Sequence, residues 1–284
     1  MRKYVVLLHL LLVAAVAVSC STVRVSERTG KVKGLPARKA SALTGSQFAE
    51  KLMGVDPDER EELILAEILD GNFPDFMRRM AEIRTSVEVD GRAVEVRYYV
   101  MPDYLSVGCD SDFIRVPMQP ATAQKIADSF GCFLSTSKIC DDVYAAAVVK
   151  LEPRPLTERR EDWATFVQHD SIIESQRQGR TGLIAGIKKD VVITDSILMN
   201  PRSHRLALYG WHRLDGKPIQ PVYTGHVDWY VDYSHGFRLV YRTIYVDGRP
   251  MDYVDVMHDD RLRPALTRDP WGKYLRYPTG EDEQ

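Results

Sequence analysis

SHRLALYGWHRLDGKPIQPVYTGHVDWYVDYSHGFRLV, residues 203 to 240, alternates apolar and polar positions in the manner of strands joined by turns. Between residues 206 and 212, Leu206, Leu208 and Gly210 fall on one side and Ala207, Tyr209 and Trp211 on the other, with His212 at the strand end. Asp215-Gly216 supplies a turn and Lys217-Pro218 an extended connection. A second strand is expected over 227 to 233, with Asp228, Tyr230 and Asp232 sharing its polar face.

The same period of two extends outward from this block. Residues 182 to 194 read as a compact strand region around Lys188-Lys189-Asp190, and residues 239 to 257 as a hairpin turning at Asp247-Gly248. An earlier hairpin turns at Asp90-Gly91. Helical signals dominate the first half. Thr44 to Gln47 forms a capping box, Asp56-Pro57 opens a second helix that Gly71-Asn72 ends, and a short third helix follows Pro74 with Arg78-Arg79 turned to solvent. Further helices are expected over 120 to 130, 138 to 150 and 162 to 178, the last carrying His169 and Asp170 as a solvated pair. No strand-helix alternation repeats, so the class is α+β, a helical N-terminal half packed on a mainly antiparallel C-terminal sheet.

The 284-residue chain begins with Arg2-Lys3, an apolar run from Tyr4 to Val18, and small residues before Cys20. That pattern is a secretory signal. It resembles a bacterial lipoprotein signal, which implies cleavage before Cys20, lipidation of that cysteine and a membrane-tethered protein of the cell envelope. The expected organisation is residues 1 to 19 as signal, 20 to 43 as a flexible tether, and 44 to 280 as one domain with a sub-boundary near 153 to 162, where Pro153 and Pro155 precede a charged run. The formal charge of −2 disfavours a nucleic-acid partner. Three cysteines remain after Cys20, and their odd number leaves at least one of Cys109, Cys132 and Cys140 unpaired within the chain.

Chemistry is concentrated in the 203 to 240 block, where imidazoles and carboxylates gather around one point. Two mechanisms use such a grouping. In a zinc site His212, His226 and His235 would be the ligands and Asp232 the base that takes a proton from bound water. Without metal, Asp232 would orient a histidine acting as general base. The bland alternative is an amphipathic sheet face whose polar tips meet backbone or water.

Asp232 and His235, an acid followed three residues later by histidine, resemble a metal-binding motif of zinc peptidases that cleave D-alanyl peptides in bacterial cell walls. The segments GIKKDVVIT, LALYGWH and YVDYSHG are similar to a family of secreted bacterial proteins of unknown activity. The expected function is therefore an envelope lipoprotein acting as a metal-dependent hydrolase on peptidoglycan or peptide bonds. The rival expectation is a non-catalytic lipoprotein that binds a carbohydrate, a peptide or an envelope partner. Substrate contacts are expected from Lys188, Lys189, Trp211, Trp229 and Tyr230.

Overall fold

The computed structural model describes residues 23 to 280; the expected signal and Cys20 lie outside the described residues. The fold is α+β with mostly antiparallel sheets. Local chemistry sets its helices as expected. α1 (Gly45–Lys51) is held by the Thr44 and Gln47 capping box, and α2 (Pro57–Leu69) by Asp56, whose carboxylate accepts from the Asp58 amide. The third helix is only a 3-10 turn, Asp75–Arg78. Arg78 does not point to solvent: it is buried with its guanidinium 4.0 Å from the Phe73 ring centroid and donates to the Gly71 carbonyl.

The largest sheet has six strands. Its spine is the Ala81–Val89 and Arg92–Val100 hairpin, whose turn residues Asp90 and Gly91 both take positive φ. Arg92–Val100 pairs on its other edge with Leu239–Tyr241 and Thr243–Val246, and these extend to Cys132–Leu134 and Arg249–Asp252. Strands from both halves of the chain therefore interleave in one sheet, so the sequence does not divide into a helical half and a sheet half. Helices α3 (Pro120–Ser129) and α4 (Ser137–Ala146) flank Cys132–Leu134 in the chain. The expected strand after Arg249–Asp252 is instead a helix, α6 (Tyr253–His258), because Asp252 caps the Val254 amide.

A second, four-stranded sheet carries the chemistry. Its order is Pro218–Tyr223, Ala207–His212, Lys189–Val192 and His235–Gly236, the last pair parallel. The strand expected over 227 to 233 does not form. Apart from one bridge from Val227 to Arg205, that stretch is turns and loop, held by the Asp228 amide on the His204 carbonyl, the Tyr230 amide on the Val227 carbonyl and the Tyr233 amide on the Arg160 carbonyl.

The tether expectation is also corrected from residue 23 onward. Val25 and Val32 are buried, the Tyr99 hydroxyl donates to the Glu27 carbonyl, and the Tyr241 hydroxyl donates to the Val23 carbonyl. Val25 and Val32 on short paired strands, with Val23 and Leu35 packed on the core, dock a segment whose composition is otherwise that of a linker. Helix α5 (Trp163–Arg177) supplies a further correction, because His169 and Asp170 are buried. Asp170 accepts from Arg115, a fully buried guanidinium that also binds Asp103 through two nitrogens and reaches Glu174. All three described cysteines are free thiols.

Candidate functional site

Lys189 is where the two histidine-bearing segments meet. Its register places it opposite Gly210 on one side and His235 on the other. The lysine before it turns inward: Lys188 is buried, donates to the Tyr233 carbonyl at 2.5 Å and lies 3.3 Å from His169 Nδ1. Burial lowers its pKa to about 7. Lys189 turns the other way and is half-buried, with its ammonium 5.1 Å from the centroid of the Trp211 ring. Among the described residues no carboxylate lies within ion-pairing distance of it, Asp232 being paired with Arg160; burial lowers its pKa as well, and the Asp232 charge partly offsets that.

Around Lys189 stand His226, Tyr230, Asp232 and His235. Asp232 is engaged on both oxygens: it accepts from the Ser234 amide at 2.7 Å and from the Ser234 hydroxyl, from Arg160 at 2.6 Å and from the Tyr230 hydroxyl at 3.2 Å. Burial works to raise its pKa, but His235, Ser234 and Arg160 outweigh burial and hold it at about 2. His235 has no exposed side-chain surface, and burial lowers its pKa to about 4, so the ring is neutral at pH 7. Near neutrality, then, Ser234 and Arg160 keep Asp232 ionised rather than an imidazolium.

Among the described residues neither ring nitrogen of His235 has a hydrogen-bond partner, and Nε2 stands 3.8 Å from Asp232 Oδ1, too far for a bond. Buried polar atoms without partners are uncommon and costly. The cover over this ring is aromatic. Tyr230 meets it edge-on at 5.7 Å, and His226 stacks on Tyr230 at 4.4 Å. Trp229, on the same irregular loop, is 60% exposed.

His212 belongs to a different cluster. Gly210 at φ +94° and Trp211 at φ +55° interrupt the alternation of Ala207–His212, where the pairing with Pro218–Tyr223 also shifts register. The irregularity sends Trp211 to the Tyr233 side, buried, and returns His212 to the face occupied by Tyr209. Both side chains then bind Asp141 of α4: His212 Nε2 lies 2.7 Å from Oδ1, and the Tyr209 hydroxyl lies 2.9 Å from the same oxygen. Arg268 adds an ion pair at 2.6 Å, and Tyr144 stacks on the imidazole at 4.6 Å. Burial opposes ionisation of Asp141, but these donors hold its pKa below the usual range. Asp190 lies behind Gly210, fully buried, accepting from Tyr104 at 3.0 Å; burial raises its pKa to about 6.

The chain matches no protein-family model, no curated protein and no solved structure. Its chemistry must therefore be read from its own residues.

The structure brings His226, His235, Asp232, Tyr230 and Lys189 together and places His212 apart, against α4. Lys188 and Trp211 are buried as packing elements, whereas Trp229 is open to a partner. Among the described residues, no group of three or more His, Cys, Asp or Glu side chains is placed to hold a metal ion. Sequence reading missed Arg160, Asp141, Asp190 and Tyr144. Asp190 alone carried a signal, as a charged residue before the apolar run Val191 to Ile193; Arg160 and Asp141 sit in charged stretches that mark nothing by themselves.

Proposed function

We propose that the protein is a lipoprotein of the bacterial cell envelope, anchored through Cys20, whose body binds a carboxylate-bearing cell-wall glycan or peptide at the Lys189 cluster. The observation that carries the reading is the pairing of unused capacity: among the described residues, a half-buried ammonium without a carboxylate in ion-pairing range stands beside a buried imidazole without a hydrogen bond. A ligand carboxylate would pair with Lys189, a sugar or peptide face would pack on exposed Trp229, and movement of the His226 and Tyr230 cover would open His235 to a ligand polar group. The signal-like segment before Cys20 supports the envelope setting.

Binding is favoured over hydrolysis by the state of Asp232. A general base works best with a pKa near the operating pH, and a carboxylate at about 2 with four donors on it is a weak proton acceptor. The test is calorimetric titration with a muramyl peptide, which has a carboxylate, and with chitotriose, which is neutral. The expected result is binding of the muramyl peptide alone, weakened about tenfold or more by Lys189→Gln, in line with a charge-assisted hydrogen bond. Equal binding of both probes, no binding of the muramyl peptide, or indifference to Lys189→Gln would overturn the reading.

A further inference from the structure

The N-terminal segment departs in charge from the rest of the molecule. Residues 24 to 39 contain six Lys or Arg and one acid, Glu27, in a chain whose net charge is −2. The segment is docked rather than free, through buried Val25 and Val32, so these charges form a fixed surface. Lys31 forms an isolated antiparallel bridge with Arg79, which sets two exposed cations directly across from each other. Like charges in that position repel.

Other cations nearby are already used. Arg78 is paired with Asp75, and Arg38 is consumed by Asn72 and the carbonyls of Ala42, Leu43 and Gly108. Among the described residues Lys31, Lys33 and Arg79 have no acid partner, and with Asp75, Arg78 and Arg38 they line a recess of about 560 Å³. A phosphate group in that recess would offset the Lys31 and Arg79 repulsion and pair with Lys33.

From this we infer that the Lys31, Lys33 and Arg79 face is a docking surface for anionic phospholipid headgroups of the membrane. The inference rests on the lipid-anchor reading for its geometry: only Ser21 and Thr22 separate Cys20 from docked Val23, a reach of at most about 11 Å. A tether that short holds the docked segment that carries Lys31 and Lys33 close to the bilayer, where attraction between basic residues and anionic lipid acts.

The test uses the processed chain beginning at residue 20 with Cys20→Ala, so that no acyl group contributes. Flotation with vesicles of one part phosphatidylglycerol to three parts phosphatidylcholine is compared with pure phosphatidylcholine vesicles at 50 and 300 mM NaCl. The expected result is capture by the anionic vesicles alone, lost at high salt, and reduced about a hundredfold in Lys31→Gln/Lys33→Gln/Arg79→Gln, at about fivefold per cation. All three side chains are exposed, and an unchanged thermal melt checks that the triple variant folds. Equal capture by both vesicle types, no capture, or capture unaffected by the triple substitution would overturn the inference; so would calorimetry showing inorganic phosphate bound as tightly as the lipid surface. Mass analysis of membrane-derived protein tests the anchor separately. An unmodified Cys20 with intact vesicle selectivity would remove the anchor and leave the lipid-binding face, and an acylated Cys20 without selectivity would do the reverse.

Discussion

Tyr209 and His212, three residues apart on one strand, bind the same carboxylate oxygen of Asp141, at 2.9 and 2.7 Å. A regular strand cannot do this, because residues three apart point to opposite faces. The shared contact exists because Gly210 and Trp211 take positive φ in succession, and for tryptophan that conformation carries strain of about 1 to 3 kcal/mol. The bonds to Asp141, the stack on Tyr144 and the burial of Trp211 hold the backbone there.

Gly210→Ala should therefore be costly. A Cβ at Gly210 would stand 3.4 Å from both Asp190 and His212, and φ +94° is disfavoured for alanine whatever the space. The expected loss is about 1 to 3 kcal/mol in urea-induced unfolding, together with displacement of the His212 ring resonances. A variant as stable as the wild type would show that the backbone relaxes at that position without cost.

The cluster at Lys189 predicts two steps of acid destabilisation. His235 has a folded pKa of about 4, below its unfolded value, so the unfolded chain binds the extra proton and stability falls as pH drops from about 6.5 to 4. Asp232 is depressed to about 2, so its contribution is complete above about pH 4 and is lost as pH falls toward 2. The steps are on the order of 3 and 2 kcal/mol respectively. His235→Phe removes two partnerless nitrogens and should cost little at pH 7 while reducing the upper step, the remainder coming from buried His169, whose pKa burial lowers to about 2, and from His226, which is lowered as well. Denaturation series at successive pH values resolve the two windows, and an upper step undiminished in His235→Phe would assign it to His169 and His226 instead.

The extent to which these features were legible in the sequence follows from the range of the interactions. Caps at Thr44 and Asp56 and the Asp90-Gly91 turn are decided within four residues, and each formed where expected. The failures came where a distant group overruled the local pattern. Residues 227 to 233 alternate like a strand, yet Asp232 is claimed by Arg160 and Ser234 and the Tyr233 amide by the Arg160 carbonyl, so the segment bends through the site. The grouping of His226 and His235 with Asp232 was visible in the spacing. The separation of His212 was not, because it depends on positive φ at a tryptophan, which no local pattern announces.

Asp195 is a second element that the sequence hid. Its carboxylate accepts from four consecutive backbone amides, Trp271 to Tyr274, at 2.7 to 3.0 Å, and Asp269 reciprocates by accepting from Thr194 and from the Asp195 amide. The segment near the C-terminus is thus fastened by a buried anion in a ring of N–H groups. Asp195→Ala should leave those donors unsatisfied and release residues 268 to 280, costing about 3 kcal/mol or more. Hydrogen exchange should show protection lost there first, with the Ala81–Val89 hairpin unaffected; uniform loss across the chain would mean the segment is not a separable unit.

Arg115 is the hub of a second buried polar network. Its guanidinium is 1% exposed and holds three carboxylates, Asp103 through two bonds at 2.6 and 3.0 Å and Asp170 and Glu174 at 2.9 Å each. Burial opposes its charge, but the three acids outweigh that and raise its pKa further above the normal arginine value. Arg115→Met leaves Asp103 and Asp170 buried without their cation, and breaking a buried network from one side costs about 3 to 5 kcal/mol. Lysine should recover only part of this, since one ammonium cannot reproduce the planar fork that grips Asp103. The sign of the pH dependence checks the cause. In Arg115→Met the abandoned carboxylates should take up protons more readily folded than unfolded, so the stability deficit should shrink as pH falls from 7 to 5. A deficit that stays constant over that range would trace the damage to lost packing against Phe113, 5.1 Å from the guanidinium, rather than to stranded charge.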